Sequence, residues 1–245
     1  MPRAVATRIW HHRVVTTYFT RDGMRFLEEL KKHNEKKWFE KNKARYEQGL
    51  RDPGLALVAD LEPVLGKISK HFVVDPRPNG GSLSRIYRDT RFSKDKSPYK
   101  THLFLHFHHD GHHDAGGEES APGFFMRLGP GDSRVGGGIW HPASPQLAKI
   151  RDAIASDPKG WARAKSKTKL GKTCMMSGDS LKKVPKGYDP EHVHAEDLKR
   201  RDFGVSATLS DASLTSATLL KDIERGFRQV APVIAFLCDA TGRSF

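Results

Sequence analysis

Apolar side chains recur at helical spacing through the first third of the chain, which predicts three helices. The first begins at Thr20, a residue type that caps helices, and the second spans about residues 35–50. Asp52-Pro53 is a signal for the start of a third helix, in which Pro63 should cause a kink or an early end. The apolar positions on the first two helices are Phe26, Leu27, Leu30, Trp38, Phe39 and Tyr46.

The hydrophobic period changes to two in the middle third, which predicts β-strands. Alternation is clearest over residues 100–109, where Leu103, Leu105 and Phe107 share one face. The other predicted strands are residues 82–88, 124–128 and 135–140, and the turn-forming residues 129–132 separate the last two. These strands predict an antiparallel meander with one face against helices. The Gly-rich residues 110–123 are expected to form a long hairpin loop.

Helical spacing returns in the last third. One helix carries Leu147, Ile150 and Ile154, and the final helix runs from about Leu219 to Leu237. Residues 165–190, rich in Lys, Gly and Pro, are expected to be irregular. Strands between two groups of helices predict the α+β class, with a central antiparallel sheet flanked by N-terminal and C-terminal helices. We expect one domain over residues 18–245, after a basic extension over residues 1–17.

Composition limits the environment and the partners. The formal net charge of +13 favours anionic partners, and no apolar run approaches the roughly 20 residues that span a bilayer. Cys174 and Cys238 lie far apart in sequence and imply no disulfide framework, which suits a cytoplasmic protein. The extension has Arg3, Arg8 and Arg13 but no acidic residue. It is typical of a disordered basic tail or a short added strand, and organellar targeting is the alternative.

The most basic segment is RIYRDTRFSKDKSPYK, residues 85–100. If it joins two strands, its loop is longer than hairpin loops usually are, and such loops are usually functional or disordered. Aromatic anchors at Tyr87, Phe92 and Tyr99 favour an ordered loop, and Asp89 and Asp95 would orient the cations. A solvated hairpin tip with weak internal ion pairs is the alternative. The candidate phosphate- or carboxylate-binding side chains are Arg85, Arg88, Arg91, Lys94, Lys96 and Lys100.

A glycine triplet, Gly136, Gly137 and Gly138, is the second candidate for anion binding. Consecutive glycines can expose backbone amides as a concave anion nest, but they also allow close packing beside Trp140. The surroundings match neither a Walker loop nor a dinucleotide fingerprint, so no cofactor is identifiable. Trp38, Tyr99 and Trp140 are candidates for stacking on a base.

Six histidines fall between residues 102 and 113. His106 and His108 would share one face of a strand, and with His102 they are the candidate ligands of a transition metal. No distant additional ligand can be named from the sequence. A surface histidine-rich insertion is therefore the favoured interpretation.

Four motifs resemble domain-of-unknown-function family 2461, a group of bacterial and fungal conserved hypothetical proteins. They are Asn34 with Trp38-Phe39 and Tyr46, RIYRDTRFSKDKSPYKTH at 85–102, PGFFMRLGPG at 122–131, and GGGIWHP at 136–142. The resemblance covers about residues 18–245 and departs from the family pattern in the extension and in the histidine-rich residues 106–120. It implies signature positions within residues 85–100 and at the glycine triplet and Trp140. It implies no reaction, because the family has no established activity.

We therefore expect a protein that binds a phosphate-bearing ligand, with nucleic acid among the candidates. The binding elements would be the basic loop within residues 85–100 and a turn at the glycine triplet. One alternative is an enzyme acting on a small anionic substrate, in which Asp89 or Tyr99 transfers a proton. The other is a protein-interaction scaffold that uses the basic face. An open groove around Arg88 would favour nucleic acid, and an enclosed pocket would favour the enzyme.

Overall fold

A computed structural model describes residues 17–111 and 120–245. Most of the N-terminal extension and the central part of the Gly-rich loop therefore lie outside the described residues. The elements, in order, are α1 (Arg21–Lys32), α2 (Lys36–Tyr46), a π-helical turn (Glu47–Arg51), α3 (Asp52–Gly66), β1 (Leu103–His108), β2 (Gly123–Leu128), β3 (Ser133–Ile139), α4 (Ser144–Ser156), α5 (Pro158–Lys167), β4 (Cys174–Ser177), α6 (Ala195–Leu198), β5 (Phe203–Leu209), α7 (Asp211–Leu214) and α8 (Leu219–Ala240).

The N-terminal helices form largely as their sequence predicts. The Thr20 hydroxyl accepts a hydrogen bond from the Gly23 amide at 3.1 Å, which satisfies one of the free donors at the start of α1. The start of α3 differs from the prediction, because the backbone remains helical from Tyr46 through Asp52 and the π-helical turn joins α2 to α3. Pro63 lies inside α3, which continues to Gly66.

Five strands form one antiparallel sheet in the order β1-β2-β3-β5-β4, which confirms the α+β class. The predicted β1-β2-β3 meander is present, and Leu103, Leu105 and Phe107 are buried on its inner face. The prediction of a helical last third was wrong for β5, which inserts between β3 and the edge strand β4. The irregular assignment of 165–190 likewise missed the four residues of β4.

The predicted strand over residues 82–88 is not a regular strand. Two isolated antiparallel bridges, Leu83 to Leu105 and Tyr87 to Tyr99, hold this segment beside the start of β1. Three residues separate these bridges on one side and five on the other, so no continuous ladder can form. This bulged segment is where the basic loop leaves the sheet.

Helix α8 covers the inner face of the sheet, packing on β3 and β5 and also on α3 and α5. Phe227 of α8 packs edge-on against Phe107 and Phe124, at ring-centroid distances of 5.9 and 5.1 Å. Both cysteines are buried and unpaired, and burial raises the pKa of the Cys238 thiol to about 12. Within the described ranges, no helix combines the length and the apolar character needed to cross a bilayer.

Candidate functional site

A basic cleft of about 610 Å³ lies where the basic loop leaves the sheet beside the end of α1. It is partly open to solvent and receives side chains from three separate parts of the chain: the end of α1 with the residues that follow it, residues 88–102 and strand β2. Its lining residues are Lys31, Asn34, Arg88, Asp89, Asp95, Ser97, Tyr99, Lys100, Thr101, His102 and Arg127.

Aromatic packing and one asparagine hold the C-terminal end of the loop. The buried ring of Tyr99 stacks on Phe39 of α2, with ring centroids 4.1 Å apart. The Asn34 side chain accepts a hydrogen bond from the Tyr99 amide at 3.0 Å and donates one to the Tyr99 carbonyl at 2.9 Å. The C-terminal end of the loop is therefore fixed to the helices, by an asparagine that is 65 residues away from Tyr99 in sequence.

Internal ion pairs order the cations of the loop. Arg88 donates to Asp95 and, at 3.4 Å, to the Ser93 hydroxyl, while Arg91 makes a two-pronged contact with Asp89. Hydrogen bonds from the Ser97 hydroxyl and amide, followed by Arg88, lower the pKa of the Asp95 carboxyl. Arg91 likewise lowers the pKa of Asp89. Both carboxylates therefore remain ionised at neutral pH and hold their arginines in place.

Lys100 and Lys96 bind backbone carbonyl groups. Lys100 Nζ donates to the Arg85 carbonyl at 2.9 Å, and Lys96 Nζ donates to the Thr90 carbonyl at 2.9 Å. Burial, followed by the charge of Arg85, lowers the pKa of Lys100. Each ammonium group has three donors, so one carbonyl partner leaves further donors for a ligand.

The floor of the cleft contains a histidine and an arginine in contact. Arg127 Nη1 lies 2.9 Å from His102 Nε2, and Arg127 Nε donates to Asp132 at 2.8 Å. Burial, followed by the charges of Arg127 and Lys100, lowers the pKa of His102 to about 4. A guanidinium can only donate, so His102 Nε2 must accept, and His102 is neutral with its proton on Nδ1.

Only some of the residues predicted from the sequence meet in this cleft. Arg88, Lys100, Asp89 and Tyr99 line it, whereas Arg85, Arg91, Lys94 and Lys96 lie on the exposed surface of the loop. Phe92, expected to be an apolar anchor, is 95 % exposed at the tip. Lys31 and Arg127 were missed, because each lies on an element distant in sequence from the basic loop. Arg127 belongs to the PGFFMRLGPG motif, but nothing in that motif indicates that it meets the loop.

The proton-transfer candidates have environments that suit structural roles. Asp89 is held by Arg91, and the Tyr99 ring belongs to the aromatic base of the loop, where burial raises the pKa of its hydroxyl. The Ser97 hydroxyl in the cleft donates to the Asp95 carboxylate at 2.6 Å, and this carboxylate also binds Arg88.

The glycine triplet does not reach the cleft. Gly136, Gly137 and Gly138 lie in the middle of the sheet and pair with β2 on one side and β5 on the other, so their amides cannot form the predicted anion nest. They serve packing instead: a Cβ on Gly137 would lie 2.6 Å from Ile234 of α8, and one on Gly138 only 1.9 Å from the Phe203 carbonyl oxygen. Trp140 rests over Gly204 at the opposite end of β3 from the Arg127 pairing.

The remaining predicted residues also lie apart from one another. Trp38 is half-buried, packing on Phe26 and stacking on His33, and it does not line the cleft. His106 and His108 are neighbours on the outer face of β1, with ring centroids 6.0 Å apart, whereas His102 contacts Arg127. Within the described chain these three histidines, the candidate ligands of the less favoured metal interpretation, do not form a metal-binding group.

A family model described as "Conserved hypothetical protein (DUF2461)" matches residues 22–236. The chain belongs to this family. DUF2461 membership confirms the resemblance inferred from the basic segment and the GGGIWHP motif, and the match includes every residue that lines the cleft. No curated protein and no solved structure matches the chain.

Proposed function

We propose that this protein binds a phosphate-bearing ligand in the basic cleft, and that the ligand is a nucleic-acid strand. The observation that carries the proposal is the convergence of Lys31, Arg88, Lys100 and Arg127, from three separate parts of the chain, on one open cleft. Asp89, Asp95 and the Arg127 partner Asp132 offset part of this charge but leave a positive excess. Placing like charges together lowers stability unless an anion shares the site, which favours a binding role over chance.

The exposed loop favours a polymer over a small phosphate compound. Arg91, Lys94 and Lys96 lie outside the cleft on the same loop, where successive phosphates of a strand could reach them. Phe92 stands among these cations almost fully exposed. An exposed aromatic ring beside phosphate-binding residues is suited to stacking on an unpaired base, which contributes about 1–3 kcal/mol per base.

The first test is fluorescence anisotropy with a labelled single-stranded oligonucleotide of about 16 nucleotides, across a salt series from about 50 to 200 mM. We expect affinity to fall steeply with salt. Lys31→Gln should weaken binding and reduce the salt slope by about one, because it removes one phosphate contact. Lys149→Gln is the matched control, since Lys149 is exposed on α4 and does not line the cleft.

A second variant separates a strand from a small ligand. Phe92→Ala should weaken oligonucleotide binding by about 1–3 kcal/mol. The dissociation constant of pyrophosphate, measured by its competition with the labelled oligonucleotide, should be unchanged. Unchanged oligonucleotide affinity in Phe92→Ala, with a mononucleotide competing as well as the oligonucleotide, would indicate a small phosphate compound instead. Absence of binding at the lowest salt, for both oligonucleotide and pyrophosphate, would refute the proposal.

A further inference from the structure

A second cluster of polar side chains lies at the opposite end of β1 from the basic cleft. After α3 the chain returns along β1, and Phe72 pairs with His109 in an isolated antiparallel bridge. The Asp110 amide donates to the His71 carbonyl at 2.8 Å. This pairing brings together His71 and Asp110, which are 39 residues apart in sequence.

The carboxylate of Asp110 lies between two imidazole rings. His71 Nδ1 is 3.1 Å from Asp110 Oδ2, and His109 Nδ1 is 3.1 Å from Asp110 Oδ1. The two rings are almost parallel, at 9°, with centroids 5.5 Å apart. One ligand atom from each residue can be chosen so that all three lie within 4.8 Å of one another.

The tautomer of His109 follows from its other nitrogen. His109 Nε2 lies 2.8 Å from the Ser244 carbonyl oxygen, which can only accept, so Nε2 carries a proton. In the neutral ring Nδ1 is then an acceptor, and it receives the Gly111 amide at 3.0 Å. It also faces a carboxylate oxygen, which is another acceptor. His109 is 3 % exposed, so a cation between the two would relieve the repulsion better than water can.

We propose that His71, His109 and Asp110 bind a divalent first-row transition metal ion, with Zn²⁺ as the representative. Metal–ligand bonds of about 2.0–2.2 Å place neighbouring ligands about 3.0–3.5 Å apart. Each imidazole Nδ1 lies 3.1 Å from a different oxygen of Asp110, and with one atom from each residue the three ligand atoms lie within 4.8 Å, so metal binding would draw the side chains closer together. The Ser244 carbonyl would act as the outer partner that orients a metal-binding histidine. Two imidazoles and one carboxylate are a recurrent ligand set for such ions.

The site would remain open on one side. The side chains of His71 and Asp110 are 38 % and 51 % exposed, so water or a ligand would complete the coordination. Metal binding requires the Gly111 amide to turn away from His109 Nδ1. This site shares no residue with the basic cleft, and its metal binding does not depend on the proposed function.

The test is a Zn²⁺ titration of the untagged full chain in competition with a chromogenic chelator. We expect one tight site in the wild type, and at least about tenfold weaker binding in His71→Ala and in Asp110→Asn. His106→Ala is the matched control, because it removes an exposed histidine from β1, the strand that leads into His109, and should bind Zn²⁺ like the wild type. A second control replaces His112 and His113, which follow Gly111 in the sequence, and should also retain the site.

Unfolding measurements distinguish a bound metal ion from a proton shared between His109 and Asp110. Zn²⁺ should raise the urea midpoint of the wild type and raise that of Asp110→Asn much less, since a ligand stabilises the native state in proportion to how tightly that state binds it. If Asp110→Asn lowers stability while the wild type binds no Zn²⁺, the cluster is a histidine–aspartate ion pair and the proposal fails. The proposal would also be overturned if either control lost Zn²⁺ binding to the same extent as His71→Ala and Asp110→Asn.

Discussion

At the scale of single residues, His102 shows how the cleft sets the chemistry of one side chain. Its Nε2 accepts from Arg127, and its Nδ1 is buried with no hydrogen-bond partner among the described residues. Protonation would place a second positive charge against Arg127 in a partly buried position. The neutral ring is therefore part of what keeps Arg127 directed at the cleft.

The first prediction concerns acid stability. The folded-state pKa of His102 is about 4, whereas a value of about 6.5 is expected in the unfolded chain. Between these two pH values the unfolded chain binds more protons at this residue than the folded protein does. Acid therefore favours the unfolded state. Stability should fall as the pH drops from about 6.5 to about 4. The loss is on the order of 2 kcal/mol after allowance for partial exposure of the ring.

His102→Gln removes this titration while keeping an oxygen that can accept from Arg127. Urea unfolding at pH 7 and at about pH 4.5 should show a smaller loss of stability in His102→Gln than in the wild type. Every other titratable group is common to the two proteins, so its contribution cancels in the comparison. Equal losses in the two proteins would show that His102 does not carry this pH dependence.

At the scale of elements, the basic loop depends on its attachment to the helices. Asn34 lies between α1 and α2 and makes both of its hydrogen bonds to the backbone of Tyr99. The Tyr99 ring stacks on Phe39 of α2, and the Tyr87 ring packs against Tyr99 at 5.4 Å. The position of the cleft is thus set by contacts between segments that lie far apart in the chain.

Asn34→Ala should loosen the loop from the helices. We expect a loss of about 1–3 kcal/mol in stability, because two backbone groups lose their partner, and faster hydrogen exchange over residues 88–100. Asn42→Ala is the control, since Asn42 donates only within α2, to the Trp38 carbonyl, and accepts from Arg45. Exchange rates over 88–100 that match those of the control would show that the asparagine does not hold the loop.

The sequence predicts those elements whose pattern is set by burial on one face. Strands β1 to β3 and helices α1 and α8 follow a clear apolar period, and their bounds are close to those expected. Strand β5, FGVSATL, also alternates, with Phe203, Val205 and Leu209 buried, and this signal was available but overlooked. Strand β4 is too short to show a period.

The candidate site was predictable in its loop but not in its partners. The charge and aromatic residues of 85–100 indicated an ordered basic loop, whereas Lys31 and Arg127 join it only through tertiary packing. The glycine triplet was predicted to form an anion nest, because consecutive glycines are equally suited to an exposed nest and to a closely packed strand. Contacts with Ile234 and with the Phe203 carbonyl decide between these, and both lie far away in sequence.

At the scale of the whole molecule, one apolar layer joins the N-terminal helices, the sheet and α8. Helix α8 contacts α3, β3 and β5, and its Phe227 fills the space between Phe107 of β1 and Phe124 of β2. This continuity favours the expected single domain, in which the helices around the cleft unfold together with the sheet.

Phe227→Ala tests that expectation. Removing a fully buried phenylalanine should lower the free energy of unfolding by about 3–5 kcal/mol. Urea unfolding can be followed by far-UV circular dichroism for the whole chain and by fluorescence of Trp38 for the N-terminal helices, in a background in which the other three tryptophans, Trp10, Trp140 and Trp161, are replaced by Phe. In one cooperative domain both probes move to the same lower midpoint, because the N-terminal helices cannot remain folded without the sheet. A Trp38 transition that stays in place while the circular dichroism midpoint falls would show that α1 to α3 form an independent unit, and the one-domain prediction would then be wrong.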